Sequence, residues 1–133
     1  MFSLVQDDLL DQLRAAVAGD SGLQLVVIFG SRARGSANAG SDLDVAYKGS
    51  ADELELMERL GRVAHCDVDL VHLDRADVIL KNRIAREGVA IYELAPGTFS
   101  RFAANAALEY LDLEPLLLES RRRYLRRVAG GNE

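Results

Sequence analysis

The chain has one cysteine, two prolines and no apolar run approaching a membrane span, and each shortage removes a class of protein. Cys66 alone cannot form an internal disulfide, and His65-Cys66-Asp67 has no second cysteine nearby to complete a zinc-binding pair. A bilayer span needs about 20 consecutive apolar residues, which no stretch supplies. The N-terminal region carries Asp7, Asp8 and Asp11 in place of a basic segment followed by an apolar one, so a secretory signal is not expected and the cytoplasm is the expected compartment. Internal repeats, low-complexity tracts and linkers are missing too. Cations are the minority charge, 16 Lys and Arg against 21 Asp and Glu, for a net charge of −5. That balance argues against a protein that holds nucleic acid by overall attraction.

What is present suits one small enzyme domain. With 133 residues, 49% of them hydrophobic, the chain can bury a single core, so one domain spanning 1–133 is expected. Leu4, Leu9, Leu10, Leu13 and Val17 recur at helical spacing until Gly19-Asp20-Ser21-Gly22 breaks the pattern. Gly49-Ser50-Ala51-Asp52 reads as a turn and cap before the stripe Leu54, Met57, Leu60 and Val63. Asp74 or Asp77 can cap a further helix carrying Val78, Ile79, Leu80 and Ile84, which Gly88 ends before a short strand over 89–94. After Pro96-Gly97, the spacing predicts a C-terminal helical segment over 98–128, with Phe99, Phe102, Ala103, Ala106, Tyr110 and Leu111 on one face and a kink or restart at Pro115. Helices and strands alternate throughout, which is an α/β pattern.

The chemistry gathers around Gly30-Ser31 and Asp42-Leu43-Asp44. The apolar run Leu25-Val-Val-Ile-Phe29 reads as a buried strand that stops at Gly30. A glycine there lets backbone approach a ligand, and Ser31 offers a hydroxyl and a backbone N–H at an expected helix start, both suited to phosphate oxygens. The segment 43–47 reads as a second strand, so Asp42 and Asp44, two apart, look the same way while Leu43 turns into the core. Their Cα atoms are expected roughly 7 Å apart, close enough to reach one magnesium or straddle two ions about 4 Å apart. Without a cation they would repel, and one would take up a proton. A third acid stands in the apolar run Val68-Asp69-Leu70-Val71, where it wants a partner. Asp67 shares its parity and is a rival reading, a solvated residue at the strand's mouth.

The stretch Gly30-Ser-Arg-Ala-Arg-Gly-Ser-Ala37, continuing to Ser41-Asp-Leu-Asp44, resembles the nucleotidyltransferases of the polymerase-β-like superfamily, and specifically its minimal (MNT) branch. Asp69 matches the family's third acid, Glu87-Gly88-Val-Ala-Ile-Tyr92 the usual continuation, and Tyr110-Leu-Asp-Leu113 the terminal helix of MntA-type antitoxins. The resemblance implies an α/β (α+β) fold with a small mixed sheet flanked by helices. It implies that Gly30 and Ser31 hold the triphosphate of ATP, that Asp42 and Asp44 hold Mg2+, and that Asp69 assists the attacking hydroxyl with the help of a second ion. It further implies an antitoxin that transfers AMP to a tyrosine of a partner HEPN ribonuclease toxin, with which it forms a hetero-oligomer.

Other functions keep some footing. Arg121, Arg122, Arg123, Arg126 and Arg127 concentrate positive charge near the C-terminus, so the remaining chain is more acidic than the net charge suggests. That end, with Leu113, Leu116, Leu117, Leu118, Tyr124 and Leu125, can dock an acidic partner or RNA, or end as a solvated basic helix. A contact-only antitoxin and a nucleotidyltransferase acting on an RNA end are the alternatives. Arg32 and Arg34 stand within reach of a triphosphate or partner. Lys81, Arg83 and Arg86 read as a solvated helix face with phosphate binding as the alternative, His65 and His72 as structural, and Ser36 and Ser41 as loop-shaping.

Overall fold

The computed structural model describes residues 4–34 and 42–130, with side chains from residue 8 onward and Arg34 described by backbone alone. Ser36, Ser41 and the motif residues between Arg34 and Asp42 lie outside the described residues, as does the Leu4 side chain.

Helix α1 (Leu4–Val17) inserts Leu13 and Val17 fully into the core, with Leu9 and Leu10 packed beside them. A turn then reverses the chain: Asp20 N–H donates to the Val17 carbonyl at 3.1 Å and the Asp20 carboxylate accepts from Gly22 N–H at 2.9 Å. Strand β1 (Leu23–Phe29) leads to the short helix α2 (Ser31–Arg34), and β2 (Leu43–Gly49) to α3 (Glu53–Ala64). Strand β3 (Val68–His72) passes through a 3-10 turn (Leu73–Arg75) into α4 (Val78–Glu87), β4 (Val89–Glu93) and α5 (Thr98–Gly130). Asp52 caps α3 by accepting from Glu55 N–H at 3.2 Å, and of the two candidates for the next cap it is Asp77 that serves, accepting from Leu80 N–H at 2.8 Å. His65 ends α3 in the left-handed conformation, φ 54°.

The four strands form one mixed sheet in the order β3-β2-β1-β4, with β2 and β3 parallel and both other pairs antiparallel. Strand β1 is central, and six of its seven residues are buried because helices cover both faces. Its Val26 and Ile28, with Val45, Tyr47 and Val68, pack beneath Leu13 and Val17 of α1 and Leu56 and Leu60 of α3. Leu25, Val27, Phe29 and Ala46 point the other way, under Ile84 of α4 and Phe99 and Phe102 of α5. Gly88 makes the closest approach possible, since a Cβ there would strike Val27 and the Ile84 carbonyl. The α+β fold with a small mixed sheet and a C-terminal helix is therefore present.

Expectations change at Pro115, Leu111 and Lys81. The chain runs through Pro115 as one helix from Thr98 to Gly130, without the restart its missing N–H suggested. Leucines and charged helix formers surround it, and Pro115 and Leu111 are both exposed, so the carbonyl that loses its donor can be hydrated. Leu111 was expected on the packed face but is 60% exposed, because the helix turns it well away from Ala106, while Leu113 and Leu117 on the packed side stay half-buried. Lys81, read as solvated, instead ties α4 to α5 through the Glu109 carboxylate at 2.9 Å. His72 is structural: its Nδ1 accepts from Asp74 N–H at 3.1 Å, which leaves Nε2–H to donate to the Gly49 carbonyl at 3.0 Å. Among the described residues no helix is long and apolar enough to cross a membrane.

Tyr47 has a strongly shifted titration. Burial, then the hydrogen bond its hydroxyl donates to Glu53 at 2.6 Å, push its pKa up from 10.0 to about 12. The folded state thus favours the protonated phenol, so this contribution is full below pH 10 and disappears as pH rises through about 12. Tyr47→Phe should flatten the alkaline fall of stability between those limits, measured by urea unfolding against pH; an unchanged alkaline limb would rule the linkage out.

Candidate active site

The pleat and the strand register assemble the site. Leu43 and Val45 are fully buried on the α1/α3 side, which turns Asp42 and Asp44 to the opposite face. The parallel register pairs Leu43 with Val68 and Asp44 with Asp69, so these two carboxylates sit side by side on neighbouring strands. On the other side of β2, the antiparallel register sets Asp44 against Phe29, the last residue of β1. Asp44 is half-buried, whereas Asp42 and Asp69 are exposed.

Gly30 closes the site from β1. Its φ is +76°, a conformation that side chains disfavour, and a Cβ at this position would run into the Asp44 carboxylate. The glycine is therefore required twice over, once by the turn and once by the acid packed against it. Ser31 follows as the first residue of α2, with its backbone and hydroxyl directly after the turn. Gly30, Ser31, Asp44 and Asp69 are thus brought to one end of the sheet, with Asp42 one step before β2.

Of the rival acids Asp67 and Asp69, Asp67 lies beside Asp42, before β3 begins, since Leu43 N–H donates to the Asp67 carbonyl at 2.9 Å. Asp69 is the acid that stands next to Asp44. Carboxylate oxygens on both strands are a donor set for hard cations such as magnesium. Among the described residues, three His, Cys, Asp or Glu side chains do not converge closely enough on one point to hold a metal unaided. The donor chemistry fits a metal shared with oxygen atoms from a second source, and phosphate oxygens are such a source.

One residue at this end was underrated by its sequence pattern. The Arg83 guanidinium lies 5.8 Å from the centre of the Phe29 ring while its Nε donates to Glu87 at 3.2 Å. It therefore stands near the carboxylates, on the α4 face. Helical spacing placed it beside Lys81 and Arg86, but only the packing of α4 on β1 reveals which of the three reaches this end. Arg32 is half-buried beside Ser31.

Comparison with known proteins follows the same outline. The polymerase beta nucleotidyltransferase family model matches residues 11–96, which run from α1 to the loop after β4 and contain every residue of the site. A protein adenylyltransferase MntA from Aphanizomenon flos-aquae (strain 2012/KM1/D3) is 26% identical over 123 residues, 79% of this chain and 82% of the relative. A chain in a crystal structure of a toxin–antitoxin with AMP-PNP is 25% identical with a TM-score of 0.67, covering 96% of this chain and 100% of that one. A chain in a structure of a tri-AMPylated HEPN toxin with its MNT antitoxin, from Shewanella oneidensis, shares the fold at a TM-score of 0.61 and 23% identity, covering 96% and 98%.

The packing of Gly30 on Asp44 makes a thermodynamic prediction. Gly30→Ala should destabilise the fold by about 1–3 kcal/mol, the range for a strained backbone position. In an Asp44→Ala background the same change should cost measurably less, because one of its two causes is gone. Equal costs in both backgrounds, by urea titration, would contradict the contact.

Proposed function

The chain belongs to the polymerase beta nucleotidyltransferase family, and we propose that it is an antitoxin adenylyltransferase, transferring AMP from ATP to a tyrosine hydroxyl of a partner HEPN ribonuclease toxin. The observation that carries this reading is the register of Asp44 with Asp69 beside Gly30, a set of oxygen donors next to a turn that admits a phosphate. The adenylyltransferase relative and the AMP-PNP-bound toxin–antitoxin support the donor and the setting.

Gly30 and Ser31 would hold the outer phosphates through backbone N–H and hydroxyl. Asp42 and Asp44, with Asp69, are the residues that would hold magnesium. Magnesium, when bound, would supply charge neutralisation on the phosphates and favour deprotonation of a nearby hydroxyl. Asp69 would orient the tyrosine hydroxyl, whose ordinary pKa near 10 makes it a poor nucleophile at neutral pH, and accept its proton. The tyrosine oxygen forms a bond to the α-phosphorus as the bond from that phosphorus to the bridging oxygen breaks, and pyrophosphate leaves with that electron pair.

Asp42→Asn and Asp44→Asn should each lower magnesium-dependent transfer of labelled AMP to the toxin on the order of a hundredfold or more, with circular dichroism unchanged. Undiminished transfer in both would defeat the proposal. Neutralisation lost while the toxin still copurifies would assign silencing to catalysis; neutralisation retained would assign it to contact. A second comparison separates the paired acids: Asp69→Asn should abolish transfer and Asp67→Asn should largely spare it, and the reverse order would move the proton acceptor to Asp67.

A further inference from the structure

Helix α5 packs through Phe99, Phe102 and Ala106, and Leu113 and Leu117 continue half-buried on the same side, whereas the other side of its second half is exposed. Leu111, Leu118 and Leu125 recur every seventh residue on this extension and are 60%, 47% and 56% exposed. Seven residues are two helical turns, so the three leucines make one stripe. Apolar residues left out this regularly mark a surface that another helix covers.

The charges say which helix. From Glu109 to Glu119 the charged residues are all acidic, Glu109, Asp112, Glu114 and Glu119, whereas from Arg121 to Arg127 they are all basic. A helix whose two halves carry opposite charge complements a copy of itself running the other way. The leucine stripe has the same symmetry. With Leu118 opposite its own copy, Leu111 meets the copy's Leu125, and on each flank of the seam Glu114 meets the copy's Arg121. A two-fold axis requires such self-matching, residue against mirror residue, and a foreign partner does not.

We propose that the second half of α5 is a self-association surface on which a second copy of this chain docks antiparallel, with Leu118 at the two-fold axis. From Glu109 to Arg127 the overlap runs about 28 Å at the helical rise of 1.5 Å per residue. Both catalytic ends stay on the separate sheets, so the pairing yields one assembly with two sites and is independent of the acceptor proposed above.

Analytical ultracentrifugation of the full chain without toxin tests this. The chain should sediment as a dimer at micromolar concentration. The Glu114–Arg121 contact occurs twice by symmetry, so Glu114→Arg or Arg121→Glu should each weaken dimerisation about tenfold, and the two together should restore it. Under mild oxidation Leu118→Cys should give a disulfide-linked dimer, mapped by mass spectrometry, while Leu116→Cys on the opposite side of the helix should not. A monomer, a dimer indifferent to both charge reversals, or equal cross-linking at 116 and 118 would overturn the proposal. Charge sensitivity that shows only in toxin binding would assign the surface to the toxin and overturn it equally.

Discussion

The pairing of Asp44 with Phe29 on one side and Asp69 on the other is the constraint from which the rest of this molecule follows. It is enforced from the far face of the sheet, where Leu43, Val45 and Val68 are buried beneath α1 and α3. A slip of one residue in β2 would exchange the faces, pushing the carboxylates into the apolar core and the leucine and valine into water. Fully burying a side chain of that kind is worth about 1.5–3 kcal/mol, so several together hold the register firmly. The acids that carry the proposed chemistry are thus positioned by side chains that never touch a substrate.

Both faces of β1 are covered, yet the carboxylate end stays accessible: Asp42 and Asp69 are exposed and Asp44 half-buried, while Ala46, two residues further along β2, is buried in the cluster beneath α4 and α5. Gly88 lets α4 turn into β4 directly against Val27, which keeps the helix close to the central strand. From within that helix Arg83 reaches over Phe29, near the acids but already engaged by Glu87. The arrangement gives the site a rigid floor, a cation at one margin and an exposed side at Asp42 and Asp69.

Much of this was legible in the sequence for identifiable reasons. A five-residue apolar run cut off by glycine specifies a buried strand and its end, and Asp-Leu-Asp specifies which way both acids face once a strand is granted. Parity alone could not separate Asp67 from Asp69, because both satisfy it; only the register with β2 puts Asp69 beside Asp44. Pro115 misled because a local rule was applied to a helix whose leucines, glutamates and arginines favour continuation and whose freed carbonyl faces water. Leu111 misled because an apolar residue five positions past Ala106 was counted on its face, whereas the packed side continues through half-buried Leu113 and Leu117 and Leu111 points away from it.

The central claim is that Asp42, Asp44 and Asp69 take up divalent cations together with a triphosphate lying against Gly30 and Ser31. Crystals grown with Mn2+ and a non-hydrolysable ATP analogue test it directly through anomalous scattering. The account predicts manganese coordinated by Asp44 and at least one of the other two acids, with phosphate oxygens at the Gly30 turn. Manganese bound elsewhere, or an analogue seated away from that turn with these carboxylates uninvolved, would contradict it.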